Sequence, residues 1–134
     1  MELNDYLNGL NEHGFRVSHE NGDNYQFDYE GLTFLLMYDE SSPDFLRIAL
    51  PHFDEYNDAE ERELMYLLIS KINLEYRYLK LVLIKNALWS FYEAKVYRKE
   101  DILDMLGIAV GCLATSFLEY FNLKEKQQEN DTES

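Results

Sequence analysis

The sequence contains very little cysteine, with Cys112 the only one among 134 residues. A single thiol can form neither an intramolecular disulfide nor a cysteine-rich metal site, so both are excluded. Cys112 lies within an apolar stretch, which favours an unreactive core thiol. The chain also has only two prolines and six glycines. No glycine-rich turn that could hold a phosphate is present, and no stretch has the composition of an interdomain linker.

Positive charge is also scarce, because 12 Lys and Arg residues stand against 26 Asp and Glu residues. The net charge is −14 and the isoelectric point is about 4.4. Nucleic-acid binding draws much of its affinity from clustered Lys and Arg, and anionic membranes attract basic proteins. We therefore expect no nucleic-acid partner and no membrane partner, whereas positively charged or unfolded polypeptides remain possible partners.

A long hydrophobic run is missing as well. The uncharged stretch between Asp104 and Glu119 has 14 residues, fewer than the roughly 20 that a transmembrane helix needs. The first residues include an acid and lack the basic and apolar regions of a secretory signal. These absences predict a cytoplasmic protein.

The most apolar part of the chain is a predicted helix over residues 99–121. Its apolar side chains, from Ile102 to Phe121, cover most of its circumference and leave one narrow polar strip. Such a helix must be covered on nearly every side by the rest of the chain. The segment after it, residues 124–134, is polar and is expected to be disordered, so residues 1–123 form a single predicted domain.

Before the last helix, the hydrophobic period changes several times along the chain. A three- and four-residue spacing predicts a short first helix, and Asn21-Gly22 is a strong hairpin signal between two strands of period two. A capping residue at Asn57 or Asp58 predicts the second helix. The predicted order is α-β-β-β-β-α-β-β-α, with strands at 15–20, 25–30, 32–39, 44–50 (ending at Pro51), 78–84 and 87–96.

No residue pattern indicates a catalytic centre, a cofactor or a metal site. His13, His19 and His52 have no neighbouring nucleophile in the sequence and are expected at the surface. The acidic run at residues 54–63 could attract a divalent cation, but its spacing fits no calcium loop, so a solvated loop and helix cap is the favoured interpretation.

Two regions carry more apolar residues than one small core requires. The second helix has an apolar arc of about 200°, and the last strand is hydrophobic on both faces. We therefore predict a partner or dimer surface formed by Leu64, Leu67, Leu68, Tyr78, Trp89 and Phe91. Core burial is the alternative for the strand residues. The Gly107-x-x-x-Gly111 spacing favours close packing of a neighbour on the last helix, with a self-association face as the alternative.

Taken together, the segments YLNGLNEHGF and YQFDYEGLTFLLMYDE, the helix exit at Ile72-Asn73-Leu74 and the approach Arg98-Lys99-Glu100-Asp101 to the last helix resemble the YbjN-type family. That family shares the type III secretion chaperone-like fold. The resemblance implies an α+β fold with an antiparallel sheet and helices packed on it. It also implies a small acidic bacterial protein that dimerises and binds other proteins; family members are described only in general terms, as proposed sensory transduction regulators.

The leading hypothesis is a non-enzymatic protein-binding module, chaperone-like or regulatory, that acts as a homodimer and holds a polypeptide partner or effector segment. A second hypothesis is a small-ligand sensor or enzyme with a pocket between the last helix and the sheet. A third is a regulator that binds a cation at the acidic loop.

Overall fold

The computed structural model describes the backbone of residues 1–133 and the side chains of residues 1–130 except His19. It contains three α-helices and six strands in the predicted order. The helices are α1 (Leu3–Glu12), α2 (Ala59–Glu75) and α3 (Ile102–Glu133). The strands are β1 (Val17–Asn21), β2 (Asn24–Tyr29), β3 (Leu32–Met37), β4 (Phe45–Glu55), β5 (Leu79–Ile84) and β6 (Ala87–Lys95).

The six strands form one antiparallel sheet in the order β1-β2-β3-β4-β6-β5. The predicted α+β class with an antiparallel sheet and packed helices is therefore confirmed. The connection through α2 carries the chain to the far edge, so β6 returns beside β4.

Three tight turns connect neighbouring strands in this sheet. Asn21 pairs with Asn24, so the first turn is formed by Gly22 and Asp23, one residue later than the predicted Asn21-Gly22. Glu30 and Gly31 both have positive φ, as a type I′ hairpin requires. The predicted turn at Lys85-Asn86 is confirmed. It forms without glycine because Lys85 adopts φ 60° and the Asn86 side chain donates a hydrogen bond to the Tyr56 carbonyl.

Strand β4 continues beyond Pro51, where the sequence predicted its end. Three β4 residues, 51–53, lie opposite the single β6 residue Trp89. Proline is tolerated in this bulge because its missing N–H is not needed for strand pairing there. The bulge turns both Phe53 and Asp54 toward α3, where the Phe53 ring packs against Phe117 and Tyr120.

The hydrophobic core lies between the helices and one face of the sheet. Alternate residues of the strands, such as Ile48 and Leu88, meet Leu68 of α2 and Leu106 of α3. Gly9 lets α1 approach α3 closely, because a Cβ atom built there would lie 2.6 Å from Leu106 Cδ1. Gly107 of α3 is also tightly packed, since a Cβ atom there would lie 3.2 Å from His13 Cε1, whereas a Cβ atom at Gly111 would meet nothing within 4 Å.

Helix α3 runs to Glu133, whereas the polar composition of residues 124–134 predicts disorder from residue 124. Lys, Glu and Gln are good helix formers, so α3 can continue without apolar residues. The Lys124 ammonium also pairs with the Asp54 carboxylate at 2.8 Å. Ser134 lies outside the described residues.

Helix α3 is longer than its uncharged run of 14 residues, the run that is too short for a transmembrane helix. Lys99–Asn130 is long and apolar enough to cross a bilayer by length and composition alone, although its uncharged run is short. One third of its most apolar window (33%) is buried in the fold. The core helix of a soluble domain meets the same criteria, and α3 supplies Ala109, Leu113 and Tyr120 to the core.

Candidate functional site

The sheet has a second face that lies outside the main core. On β4 and β6, the residues that alternate with the core positions point away from it, as the pairs Arg47–Glu93 and Ala49–Phe91 show. The pairs Lys80–Phe91 and Val82–Trp89 extend this surface onto β5. We call it the outer face, defined by Phe45, Arg47, Ala49, Lys80, Val82, Trp89, Phe91, Glu93 and Lys95.

Two stacked aromatic rings occupy the centre of the outer face. The Trp89 and Phe91 ring centroids lie 6.0 Å apart with an angle of 14° between the planes. The Arg47 guanidinium carbon lies 4.9 Å from the Phe91 ring centroid, a cation–π contact. Phe91 is consequently only 5% exposed, although it does not belong to the main core. Trp89 remains half-buried and presents apolar surface to solvent.

The outer face carries a local charge opposite to that of the whole chain. Glu93 lies between Arg47, whose Nε is 3.4 Å from Glu93 Oε1, and Lys80, whose Nζ is 3.2 Å from the same oxygen. Lys95 follows on β6 and lies over the Tyr97 ring. Two cations therefore flank Glu93, and a third lies further along the same face, on a protein of net charge −14.

A groove of about 610 Å³ adjoins the aromatic pair. It forms because the register between β3 and β4 covers only the pairs Leu35–Ala49 and Leu36–Ile48, after which the two strands separate. The groove is lined by apolar and polar strand residues and by acids of the neighbouring turns: Met37, Tyr38, Phe45, Arg47, Glu93, Asp23, Asn24, Asp39 and Ser42. Among the described residues its only cation is Arg47, so the positive charge of the outer face does not continue into the groove. The groove gives the outer face a concave, partly apolar extension.

The structure distributes the six predicted surface residues over three environments. Leu68 is 1% exposed and packs in the core, so its side chain is unavailable to a partner. This corrects the prediction, which took the wide apolar arc of α2 as one surface. Leu67 and Tyr78 are exposed and Leu64 is partly exposed, but they do not lie on the outer face. Only Trp89 and Phe91 lie together there, and because Phe91 is also buried, Trp89 is the predicted residue that offers apolar surface on this face.

The acidic residues at the start of α2 act mainly as helix caps. Asp58 accepts a hydrogen bond from the Glu61 backbone N–H at 2.8 Å, and Glu61 accepts one from the Asn57 N–H at 2.7 Å. This reciprocal arrangement satisfies free backbone donors at the helix end. Among the described side chains, residues 1–130 without His19, no three His, Cys, Asp or Glu residues come together as a metal site.

The histidines and the cysteine form no catalytic arrangement in the described part of the chain. The His13 ring is hydrogen-bonded to the Leu103 carbonyl, and His52 lies near Glu55 at the surface. The side chain of His19 lies outside the described residues. Burial raises the pKa of the Cys112 thiol, which favours the protonated, unreactive form.

A second groove, of about 400 Å³, lies between α3 and the segment around the first two strands. Its walls include His13, Phe15 and Tyr29 on one side and Gly107 and Gly111 on the other. The groove lies where the second hypothesis, a small-ligand sensor or enzyme, places its pocket. The groove is open to solvent, and its ionisable lining groups are His13, Tyr29 and Glu30.

The fold and the outer face define a small α+β domain with one sheet face left uncovered by the core. Neither the protein-family models nor the curated proteins match the sequence. Among solved structures, the fold is similar to the crystal structure of YbjN from E. coli, a protein proposed to be a transcription regulator. The TM-score is 0.70 with 12% sequence identity, over 92% of this chain and 94% of that chain. At this identity the likeness shows the fold alone, and the predicted YbjN-type fold is confirmed.

Proposed function

We propose that the chain is a non-enzymatic protein-binding module that acts as a homodimer and holds a partner polypeptide on the outer face. The observation that carries the proposal is the Trp89–Phe91 pair bordered by Arg47, Lys80 and Lys95. Aromatic residues and arginine are the side chains most enriched at energetic centres of protein interfaces.

The charge of the outer face indicates which polypeptides it fits. A segment with apolar side chains would cover Trp89, and acidic side chains on that segment would meet the cations around Glu93. Basic segments would instead be drawn to the acidic remainder of the chain. Electrostatic complementarity of this kind mainly sets specificity and association rate.

A regulatory role is consistent with this binding mode. YbjN is proposed to be a transcription regulator, and the present chain has a net charge of −14. The net charge of the chain repels DNA phosphates, and the few cations of the outer face are not the large basic cluster that DNA binding requires. We therefore place any regulatory effect at the level of a protein partner.

Selection from a peptide library, followed by titration with Trp89 fluorescence, tests the proposal. Trp89 is the only tryptophan, so its emission reports on the outer face directly. We expect selected peptides to combine apolar and acidic residues and to shift the emission to shorter wavelength. Lys80→Gln should weaken binding, whereas the matched control Lys71→Gln, on α2 and away from the face, should not.

Two results would contradict the proposal. One is selection of basic peptides. The other is peptide binding that leaves Trp89 emission unchanged and is equally strong in the Lys80→Gln and Lys71→Gln variants.

A further inference from the structure

Helix α3 exposes a regular stripe of residues on the side opposite the core, with large apolar side chains on either side of its centre. Ile108 and Leu118 are 54% and 61% exposed, which is unusual for large apolar side chains on the central helix of a fold. Six exposed positions follow alternating spacings of four and three residues, as in a helix–helix packing seam. We call them the α3 seam: Asp104, Ile108, Gly111, Thr115, Leu118 and Asn122.

The order of residues in the α3 seam is complementary to itself when reversed. If two copies of α3 cross antiparallel about a twofold axis, Gly111 of one copy faces Thr115 of the other. In the same register, Ile108 faces Leu118, and these apolar pairs flank the centre. Asp104 then faces Asn122, a carboxylate opposite an amide donor, at both ends. Such reciprocal pairing is what a twofold interface requires.

The centre of the seam has room for a second helix. A Cβ atom built on Gly111 would meet nothing within 4 Å in this chain. The groove of about 400 Å³ lies beside it, with Phe15 and Tyr29 as its far wall. Small residues at a crossing point let two helix backbones approach closely.

Charge distinguishes the α3 seam from the other exposed apolar surfaces. The outer face carries Arg47, Lys80 and Lys95, so two copies of it would repel each other. The groove at the start of α2 is bordered by Asp58, Glu60, Glu61 and Glu63, so it would repel its own copy as well. Between Asp104 and Glu119 the seam itself carries no charge, and the groove beside it contains one acid, Glu30. On a chain of net charge −14, that stretch is the exposed apolar surface where a second copy can approach with least repulsion.

We propose that the homodimer in the proposed function forms through antiparallel contact of the two α3 seams. The inference rests on the proposed function for the existence of a dimer and adds its surface and register. From residue 104 to residue 122 the seam is about 27 Å long at about 1.5 Å per residue. A strip of one helix covers less than the about 800 Å² per partner of a standard interface, so the dimer dissociates on dilution.

Charge substitution at Ile108 and Leu118 tests both the surface and the register. The variants are Ile108→Lys, Leu118→Glu and the combination of both in one chain, with Leu74→Glu on α2 as control because Leu74 is 86% exposed elsewhere. Sedimentation velocity over a range of concentrations measures the dimer dissociation constant, and circular dichroism checks that each variant is folded. Both substituted positions are exposed, so the monomer should fold normally.

We expect the wild type and Leu74→Glu to dimerise alike, and each single seam variant to raise the dissociation constant at least about tenfold. The combined variant should recover dimerisation, because the ammonium introduced at position 108 of one copy then faces the carboxylate introduced at position 118 of the other. A wild type that stays monomeric throughout the range would overturn the inference. So would a combined variant that remains monomeric, because the register would then be wrong.

A lipid surface is the competing occupant of an apolar helix face. Cosedimentation of the wild type with neutral phosphatidylcholine vesicles, without a dimer in solution, would assign the seam to lipid and refute the proposal. Peptide binding followed through Trp89 is a separate measurement. Its failure would remove the proposed function of the outer face and leave the dimer test unaffected.

Discussion

Replacing Tyr120 with Phe tests how much a hydrogen bond between α3 and the sheet stabilises the fold. The Tyr120 hydroxyl donates a hydrogen bond to Asp54 Oδ2 at 2.7 Å, and the ring is completely buried. Burial, together with the hydrogen bond to Asp54, raises the pKa of Tyr120, so the hydroxyl stays protonated and remains a donor. Phenylalanine keeps the ring contacts with Phe53 and Phe121 and removes only this bond.

The free energy of unfolding that Tyr120→Phe is expected to remove depends on the charge of the acceptor, the Asp54 carboxylate. A hydrogen bond to a charged group contributes about 1.5 to 3 kcal/mol to stability. Lys124 still neutralises Asp54 after the substitution, so a value near the lower limit, about 2 kcal/mol, is expected for Tyr120→Phe. For a chain of this length that loss lowers the unfolding midpoint by roughly 7 °C.

Urea unfolding at neutral pH measures this difference directly. The matched control is Tyr66→Phe, because Tyr66 lies on α2 and is 53% exposed, and its change should be close to zero. In a variant that already carries Asp54→Ala, Tyr120→Phe should lower the free energy of unfolding much less than it does in the wild type. A loss below about 0.5 kcal/mol in the wild-type background would refute the hydrogen bond as a fastening of α3 to β4.

Three further predictions concern single groups. Burial raises the pKa of Tyr6 to about 12, so as the pH rises the Tyr6 hydroxyl ionises in the unfolded chain before it ionises in the folded chain. Urea titrations should therefore show the free energy of unfolding falling above about pH 10, and falling less steeply in Tyr6→Phe. A hydrogen bond to Glu119 and the like charge of the Glu119 carboxylate raise the pKa of Glu75, so the ionised Glu75 side chain destabilises the fold at neutral pH. Glu75→Gln should therefore raise the thermal midpoint at neutral pH. This gain should disappear below about pH 4, where Glu75 is protonated in the folded and the unfolded chain. The buried Ser90 hydroxyl has no hydrogen-bond partner among the described residues, so Ser90→Ala should gain about 1 kcal/mol in urea unfolding.

The fold was predictable because each element has its own hydrophobic period. Alternating residues around the Glu30-Gly31 turn, and the capping residue Asp58, place their elements within a few positions of the observed ones. The end of β4 was not predictable in the same way. Pro51 normally ends a strand, and only the pairing with β6, which is distant in sequence, shows that a bulge accommodates it.

The candidate site was predictable only in part. Alternation along the last strand places Trp89 and Phe91 on one face and Leu88 and Tyr92 on the other, but both faces are hydrophobic, so the sequence does not show which of them the helices cover. The setting of Trp89 and Phe91 depends on register, because Arg47 reaches Phe91 only when β4 pairs with β6. Leu68 could not be separated from Leu67 by composition, since only the contact of α2 with the core decides which side of the helix is buried.

Three exposed apolar surfaces of this chain differ mainly in charge, and that difference limits what each can bind. The outer face is locally cationic around Glu93, the groove beside Asp58 is anionic, and the α3 seam is neutral around Gly111. Two identical surfaces meet most easily when neither is charged, whereas a charged apolar surface favours a partner of opposite sign. A dimer through α3 would therefore leave both outer faces free, so that one dimer could hold two acidic apolar segments.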